Sequence, residues 1–171
     1  YYVLSDTQYG NDGDFTYEGL VARYNNDLAN NLGNLCSRVT TVVQKKCDGV
    51  SAAPRADSPL REHAESAVRD TIEGWNSFQP GKALDATWSL IRATNSFLEN
   101  HEPWKAEPSA ELNAIMGDAL EALRIVAILC VPAIPTTAQM VWERIGLTGD
   151  VSHERIPTSV SWGLYPAGLT V

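Results

Sequence analysis

Cysteine is scarce in this sequence of 171 residues, and cysteine-based motifs are missing. The three cysteines, Cys36, Cys47 and Cys130, are odd in number and widely spaced, and no Cys-x-x-Cys pair occurs. A disulfide framework needs paired cysteines, and a structural zinc site needs closely grouped Cys or His ligands. The sequence therefore predicts reduced thiols and no metal site.

Long hydrophobic runs are also missing, since no stretch approaches the roughly 20 apolar residues of a membrane-spanning helix. A chain with 44% hydrophobic and 20% charged residues is typical of a globular protein, and this length can bury one core. The chain begins Tyr1-Tyr2-Val3-Leu4, without a Met or a signal peptide. We therefore expect part of a longer cytoplasmic protein that has no membrane partner.

Positive charge is in short supply, with 13 Lys and Arg against 21 Asp and Glu and a net charge of −8. General nucleic-acid binders are usually basic, because Lys and Arg neutralise phosphates. Only small positive spots are available, such as Arg38 with Lys45 and Lys46. Any RNA contact must therefore be local.

Catalytic groups are few. His63, His101 and His153 lie in polar contexts without a nearby nucleophile or metal-ligand spacing, so we interpret them as surface residues. The turn-rich segment Gly10-Asn11-Asp12-Gly13-Asp14 lacks the Lys and Ser/Thr of a phosphate-binding loop and the ligand order of an EF-hand. Nothing in the sequence supports a free-standing enzyme.

Helical periodicity dominates what is present. Apolar residues recur at steps of three and four along five stretches, the spacing of one helix face. The predicted helices cover residues 16–46, 59–78, the stretch between Gly81 and Pro103, 109–130 and 136–145. The segment after Gly146 has little periodicity and should be irregular. We predict an all-α bundle with almost no strand.

A polar stripe lies beside the apolar face of the first predicted helix. Asp27, Asn31, Asn34 and Arg38 follow each other at steps of four, three and four. Amides that donate and accept, next to a guanidinium, can read the edges of unpaired bases. Spacing alone favours the alternative, a solvated or interhelical polar face.

A second candidate is Glu102-Pro103-Trp104-Lys105, where proline ends the third helix. An indole presented at the end of a bundle can stack on a base. The alternative is a Trp that closes the core, as Trp75 and Trp88 are expected to do.

Several motifs together resemble the methionyl-tRNA synthetase family, in that family's order and approximate spacing along nearly the whole chain. They are Asp12-Gly13-Asp14-Phe15-Thr16, Arg23-Tyr24-Asn25-Asn26-Asp27-Leu28-Ala29-Asn30, Leu32-Gly33-Asn34-Leu35-Cys36-Ser37-Arg38, Trp75 with Pro80-Gly81-Lys82-Ala83, Glu102-Pro103-Trp104-Lys105 and Pro132-Ala133-Ile134-Pro135-Thr136. The family departs from this chain beside the Pro-Trp, where Glu102 stands in place of the usual Ala and Ala106-Glu107-Pro108 in place of Leu-Ala-Lys.

The resemblance implies the five-helix anticodon-binding bundle of class I aminoacyl-tRNA synthetases, with an irregular C-terminal tail. It implies a connection from the catalytic domain at 1–15, the bundle at 16–146 and the tail at 147–171. Asn34, Arg38 and Trp104 are then expected to contact the CAU anticodon of initiator and elongator methionine tRNAs, with supporting contacts from Asn31, Lys45 and Lys105.

The same resemblance implies that this chain holds no cofactor and no catalytic residue. The His-Ile-Gly-His-type and Lys-Met-Ser-Lys-Ser-type ATP motifs and the zinc knuckle of the family are missing. ATP and zinc would belong to the catalytic domain, the chain's partner in the parent ligase. Two alternatives stay open: the bundle of the cysteine, isoleucine or leucine enzyme, and a protein-interaction bundle without an RNA role.

Overall fold

Helices make up the secondary structure of the computed structural model, which describes residues 1–6, 13 and 15–171. The α-helices are α1 (Tyr2–Asp6), α2 (Tyr17–Arg23), α3 (Asn34–Lys46), α4 (Leu60–Asn76), α5 (Pro80–His101), α6 (Ala110–Cys130) and α7 (Pro135–Arg144). Short 3₁₀ turns occur at Val151–His153 and Thr158–Val160. The described residues contain no strand and one isolated bridge, between Val50 and Thr170. The predicted all-α architecture is confirmed.

The long first helix begins where the sequence predicts it. The Thr16 hydroxyl accepts a hydrogen bond from the Gly19 amide at 3.1 Å, which caps α2. A π-helical segment, Tyr24–Gly33, then joins α2 to α3 without leaving right-handed backbone angles. Four of its ten residues are asparagine, a weak α-helix former. The 3.6-residue periodicity assumed for the polar stripe therefore holds only from Asn34 onwards.

The remaining predicted helices correspond to α4, α5, α6 and α7, with ends within about two residues of those expected, which is the usual uncertainty of helix boundaries. Helix α1 was not predicted, because five residues are too few to show a period. The predicted turn at residues 10–14 lies, apart from Gly13, outside the described residues. Within α1, Tyr2 is buried, whereas Val3 is exposed.

Helix α6 runs through the centre of the bundle, and its residues from Ile115 to Cys130 are all buried. Cys36, Cys47 and Cys130 are free and buried. Burial raises the pKa of the Cys36 thiol to about 11 and that of the Cys130 thiol to about 12. Both thiols are therefore protonated and unreactive near neutral pH.

A buried ion pair on α6 holds the C-terminal tail. The Glu121 and Arg124 side chains are 0% and 4% exposed, and Arg124 Nε donates to Glu121 Oε2 at 2.6 Å. The pair also binds four backbone groups of the tail, the amides of Gly163 and Leu164 and the carbonyls of Ser159 and Ser161.

None of the helices in the described part of the chain is long and apolar enough to cross a membrane.

Helix α6 is capped by Ser109, the residue just before it, which gives a prediction about stability. The Ser109 hydroxyl accepts a hydrogen bond from the Leu112 amide at 3.1 Å. Removing such a cap costs about 1 kcal/mol, so Ser109→Ala should lower the free energy of unfolding in urea by that amount. Ser89→Ala, in the exposed middle of α5, is the control and should cost nothing, since alanine is the best helix former. Equal stability of the two variants would contradict the capping role.

Candidate nucleic-acid interface

Trp104 lies in the turn that follows α5. Glu102 ends the helix in the left-handed conformation, with φ of 42°, and Pro103 is buried. Proline cannot continue the helix, because it has no amide hydrogen to donate. The Trp104 side chain is left 37% exposed. Of the two interpretations of this indole, the structure favours the one presented at the surface.

Arg38 comes from α3 and lies against the Trp104 ring. Its guanidinium carbon is 4.5 Å from the ring centroid, which is cation–π geometry. Arg38 Nη1 also donates to Asn95 Oδ1 at 3.4 Å and lies 3.9 Å from the Glu99 carboxylate. Its other guanidinium N–H groups donate to no described residue, so they remain available as donors to a ligand. The fold thus brings together two of the three predicted anticodon contacts.

Asn34 lies one turn before Arg38 on the same face of α3. It is exposed, and its side-chain amide forms no hydrogen bond within residues 1–6, 13 and 15–171. Both its donors and its acceptor are available to a base edge. Asn31 is half-buried in the π-helical segment, so it does not continue this face with α-helical spacing.

The fourth member of the polar stripe, Asp27, belongs to another contact. It accepts from the Tyr1 hydroxyl at 2.8 Å and from Arg23 at 3.2 Å. Burial and the hydrogen bond to Asp27 raise the pKa of the Tyr1 hydroxyl. Asp27 therefore holds the N-terminal segment through Tyr1 and is not part of the candidate site formed by Asn34, Arg38 and Trp104.

The three neighbouring lysines differ in what they can offer to RNA. Lys45 is exposed and pairs with no described residue. Lys105 is bound to Glu102 at 2.7 Å. Lys46 is turned inward and donates to the Ala106 carbonyl at 2.5 Å. The expected basic spot therefore provides fewer free charges than the sequence suggests.

Sequence reasoning missed Asn95 and Glu99, which contact Arg38, and it placed Lys46 in a positive spot without finding its contact with Ala106. Asn95 and Glu99 lie on α5 at a spacing of four, just before the Pro-Trp motif, so their position was a usable signal. The contact of Lys46 left no signal in the sequence, because Ala106 lies sixty residues away. No group of His, Cys, Asp or Glu side chains suited to a metal ion occurs in the described part of the chain.

Comparisons with known proteins give one consistent result. A family model described as tRNA synthetases class I (M) matches residues 1–40. The methionine–tRNA ligases of Streptomyces coelicolor and Thermotoga maritima are 34% and 33% identical to the chain over its whole length. The chain covers 34% and 28% of those proteins. It therefore spans about a third of the length of the curated relatives it matches.

A solved structure agrees with these relatives. The free-state crystal structure of Mycobacterium tuberculosis methionyl-tRNA synthetase matches 99% of the chain with a TM-score of 0.85 and 26% identity. The chain covers 36% of that protein. A crystal structure of the same synthetase bound by methionyl-adenylate matches equally well, with a TM-score of 0.85. The helical bundle described above is therefore a fold already seen in that enzyme.

Proposed function

The chain belongs to the methionyl-tRNA synthetase family, and from this premise we propose that it is the anticodon-recognising helical domain of a methionine–tRNA ligase. The complete enzyme joins methionine to initiator and elongator methionine tRNAs using ATP in the cytoplasm. This chain supplies specificity for the CAU anticodon, and the catalytic domain, its partner, holds ATP and the family's zinc. Residues 16–146 form the recognition domain, 1–15 the connection and 147–171 the tail.

The observation that carries this proposal is the Arg38–Trp104 pair with Asn34 exposed one turn away. A partly exposed indole gives a splayed base a surface on which to stack. The Asn34 amide and the Arg38 guanidinium can then donate to or accept from base edges. Asn31, Lys45 and Lys105 are supporting contacts in this proposal, Lys105 only after it leaves Glu102.

Acidic side chains shape what this interface can bind. Glu99 and Glu102 flank the pair, and the whole chain carries a net charge of −8. A phosphate placed here would be repelled, whereas an uncharged base edge would not. The local charge therefore favours recognition through bases rather than through the RNA backbone.

Exchange of anticodon bases tests the proposal. The complete enzyme should aminoacylate a tRNA with the CAU anticodon at least roughly tenfold more efficiently than one with a changed first base, a difference of about 1.4 kcal/mol. A base change in a loop outside the anticodon is the control. The measured quantity is kcat/KM for tRNA. Equal efficiency with both anticodons would overturn the proposal and favour a protein-interaction bundle without an RNA role. Preference for another anticodon would favour the bundle of the cysteine, isoleucine or leucine enzyme.

A further inference from the structure

Lys46 connects the end of α3 to the segment that carries Trp104. Its ammonium donates to the Ala106 carbonyl at 2.5 Å, and the two residues are sixty apart in sequence. We propose that Lys46 is a positioning residue for anticodon recognition, which holds the Trp104 turn in the orientation that presents its ring. This inference rests on the proposed function of Trp104.

Few hydrogen bonds fix the backbone of the Trp104 turn, although Pro103 is buried and Ala106 packs against the hydrophobic core. Between the end of α5 and the start of α6, one internal turn bond runs from the Lys105 amide to the Glu102 carbonyl at 2.8 Å. Glu102 adopts φ of 42°, a conformation that side chains rarely take. Among the described residues, Lys46 is the α3 side chain that hydrogen-bonds this segment.

Helix α3 therefore touches the turn at two places. Arg38 lies against the indole, and Lys46, roughly two helical turns later, holds the backbone just beyond it. The second contact adds to the first in restricting the turn before RNA arrives, which lowers the entropic cost of binding.

A lysine near an RNA site invites a simpler interpretation, a direct phosphate contact. The geometry favours the positioning role, since Lys46 is half-buried and its ammonium already donates to the Ala106 carbonyl. The two interpretations differ in salt dependence. Each phosphate contact to a single strand contributes about −0.7 to the slope of log affinity against log salt, whereas a positioning residue contributes nothing.

Lys46→Met removes the ammonium and keeps most of the aliphatic stem. In the complete enzyme we expect roughly a tenfold rise in KM for tRNA, because a hydrogen bond from a charged donor is lost. Methionine activation without tRNA should not change. Lys46→Arg, which retains a donor, should restore much of the lost affinity. Lys82→Met, at an exposed lysine on α5, is the control.

A double-mutant cycle with Trp104→Ala completes the test. If Lys46 acts through the indole, Lys46→Met should have little further effect in the Trp104→Ala background, and the salt slope should stay at its parent value. Additive losses, or a shallower slope, would overturn the inference and establish a direct contact. A Lys46→Met enzyme with parent KM would also overturn it.

The cycle separates this inference from the proposed function. Parent-like aminoacylation by Trp104→Ala would contradict the proposed role of Trp104, on which this inference rests. Impairment by Trp104→Ala but not by Lys46→Met would contradict only the role of Lys46. Urea unfolding of Lys46→Met shows whether the domain has lost its fold. If it has, Lys46→Gln, which keeps a donor and removes the charge, is measured instead. Near-parent affinity with a parent salt slope supports the positioning role, and a loss with a shallower slope overturns it.

Discussion

Replacing Trp104 with alanine is expected to reduce kcat/KM for methionine tRNA by between about tenfold and a hundredfold in the complete enzyme. Stacking of a base on an aromatic side chain contributes about 1–3 kcal/mol, and the Trp104 ring is available for it, with 37% of the side chain exposed. The substitution also takes away the surface on which the Arg38 guanidinium rests at 4.5 Å. Steady-state aminoacylation kinetics measure the effect.

Two comparisons give this result its meaning. Trp104→Phe keeps a ring on which a base can stack and should lose much less. Methionine activation without tRNA should be the same in all three proteins, because the proposed function assigns that chemistry to the catalytic domain. Parent-like aminoacylation by Trp104→Ala would rule out the assigned role of the indole.

The helices could be predicted from the sequence because each one buries an apolar face, and burial leaves a period of 3.6 residues. The π-helical segment Tyr24–Gly33 could not, because no apolar period distinguishes it from α-helix. Helix α1 was not predicted because its five residues are too few to show a period. Periodicity detects faces, so an element without a regular face escapes it.

The candidate site was predictable in part, and for a different reason. The spacing left the orientation of Trp104 undecided, and only the family resemblance favoured exposure. That Arg38 lies on the Trp104 ring follows from how α3 packs beside the end of α5, which no local pattern encodes. The contacts of Lys46 and Asn95 depend on the same long-range packing.

The buried charges of α6 could have been found in the sequence. Asp118, Glu121 and Arg124 interrupt an otherwise apolar helix, and Glu121 and Arg124 are three residues apart, a spacing that brings side chains together. Charged residues are almost never fully buried without partners. What the sequence could not supply is the identity of those partners, which are Arg55 for Asp118 and backbone groups of the tail for Glu121 and Arg124.

Arg124→Met is the second change for which we expect a large effect, here on stability. It leaves the Glu121 carboxylate, which is 0% exposed, without its ion-pair partner. Breaking a buried pair by removing one member typically costs about 3–5 kcal/mol, and urea unfolding should show a loss of that size. The control is Arg61→Met on α4, whose pair with Glu65 is about half exposed on both sides and should contribute less than about 1 kcal/mol.

Removing both charges tests what the pair does. Replacing a whole buried ion pair by apolar residues is often neutral, since the desolvation cost disappears with the charges. Here the pair also satisfies two amides and two carbonyls of the tail, with the Gly163 amide 2.6 Å and the Ser161 carbonyl 2.9 Å away. Each hydrogen bond to a charged group contributes about 1.5–3 kcal/mol, and the double variant loses all four of these bonds, so Glu121→Leu with Arg124→Met should remain below the parent stability. The freed tail should also be cleaved sooner in limited proteolysis. Recovery of parent stability would mean instead that the tail stays in place by its apolar contacts, such as buried Val160 and Tyr165, and that the charges are dispensable.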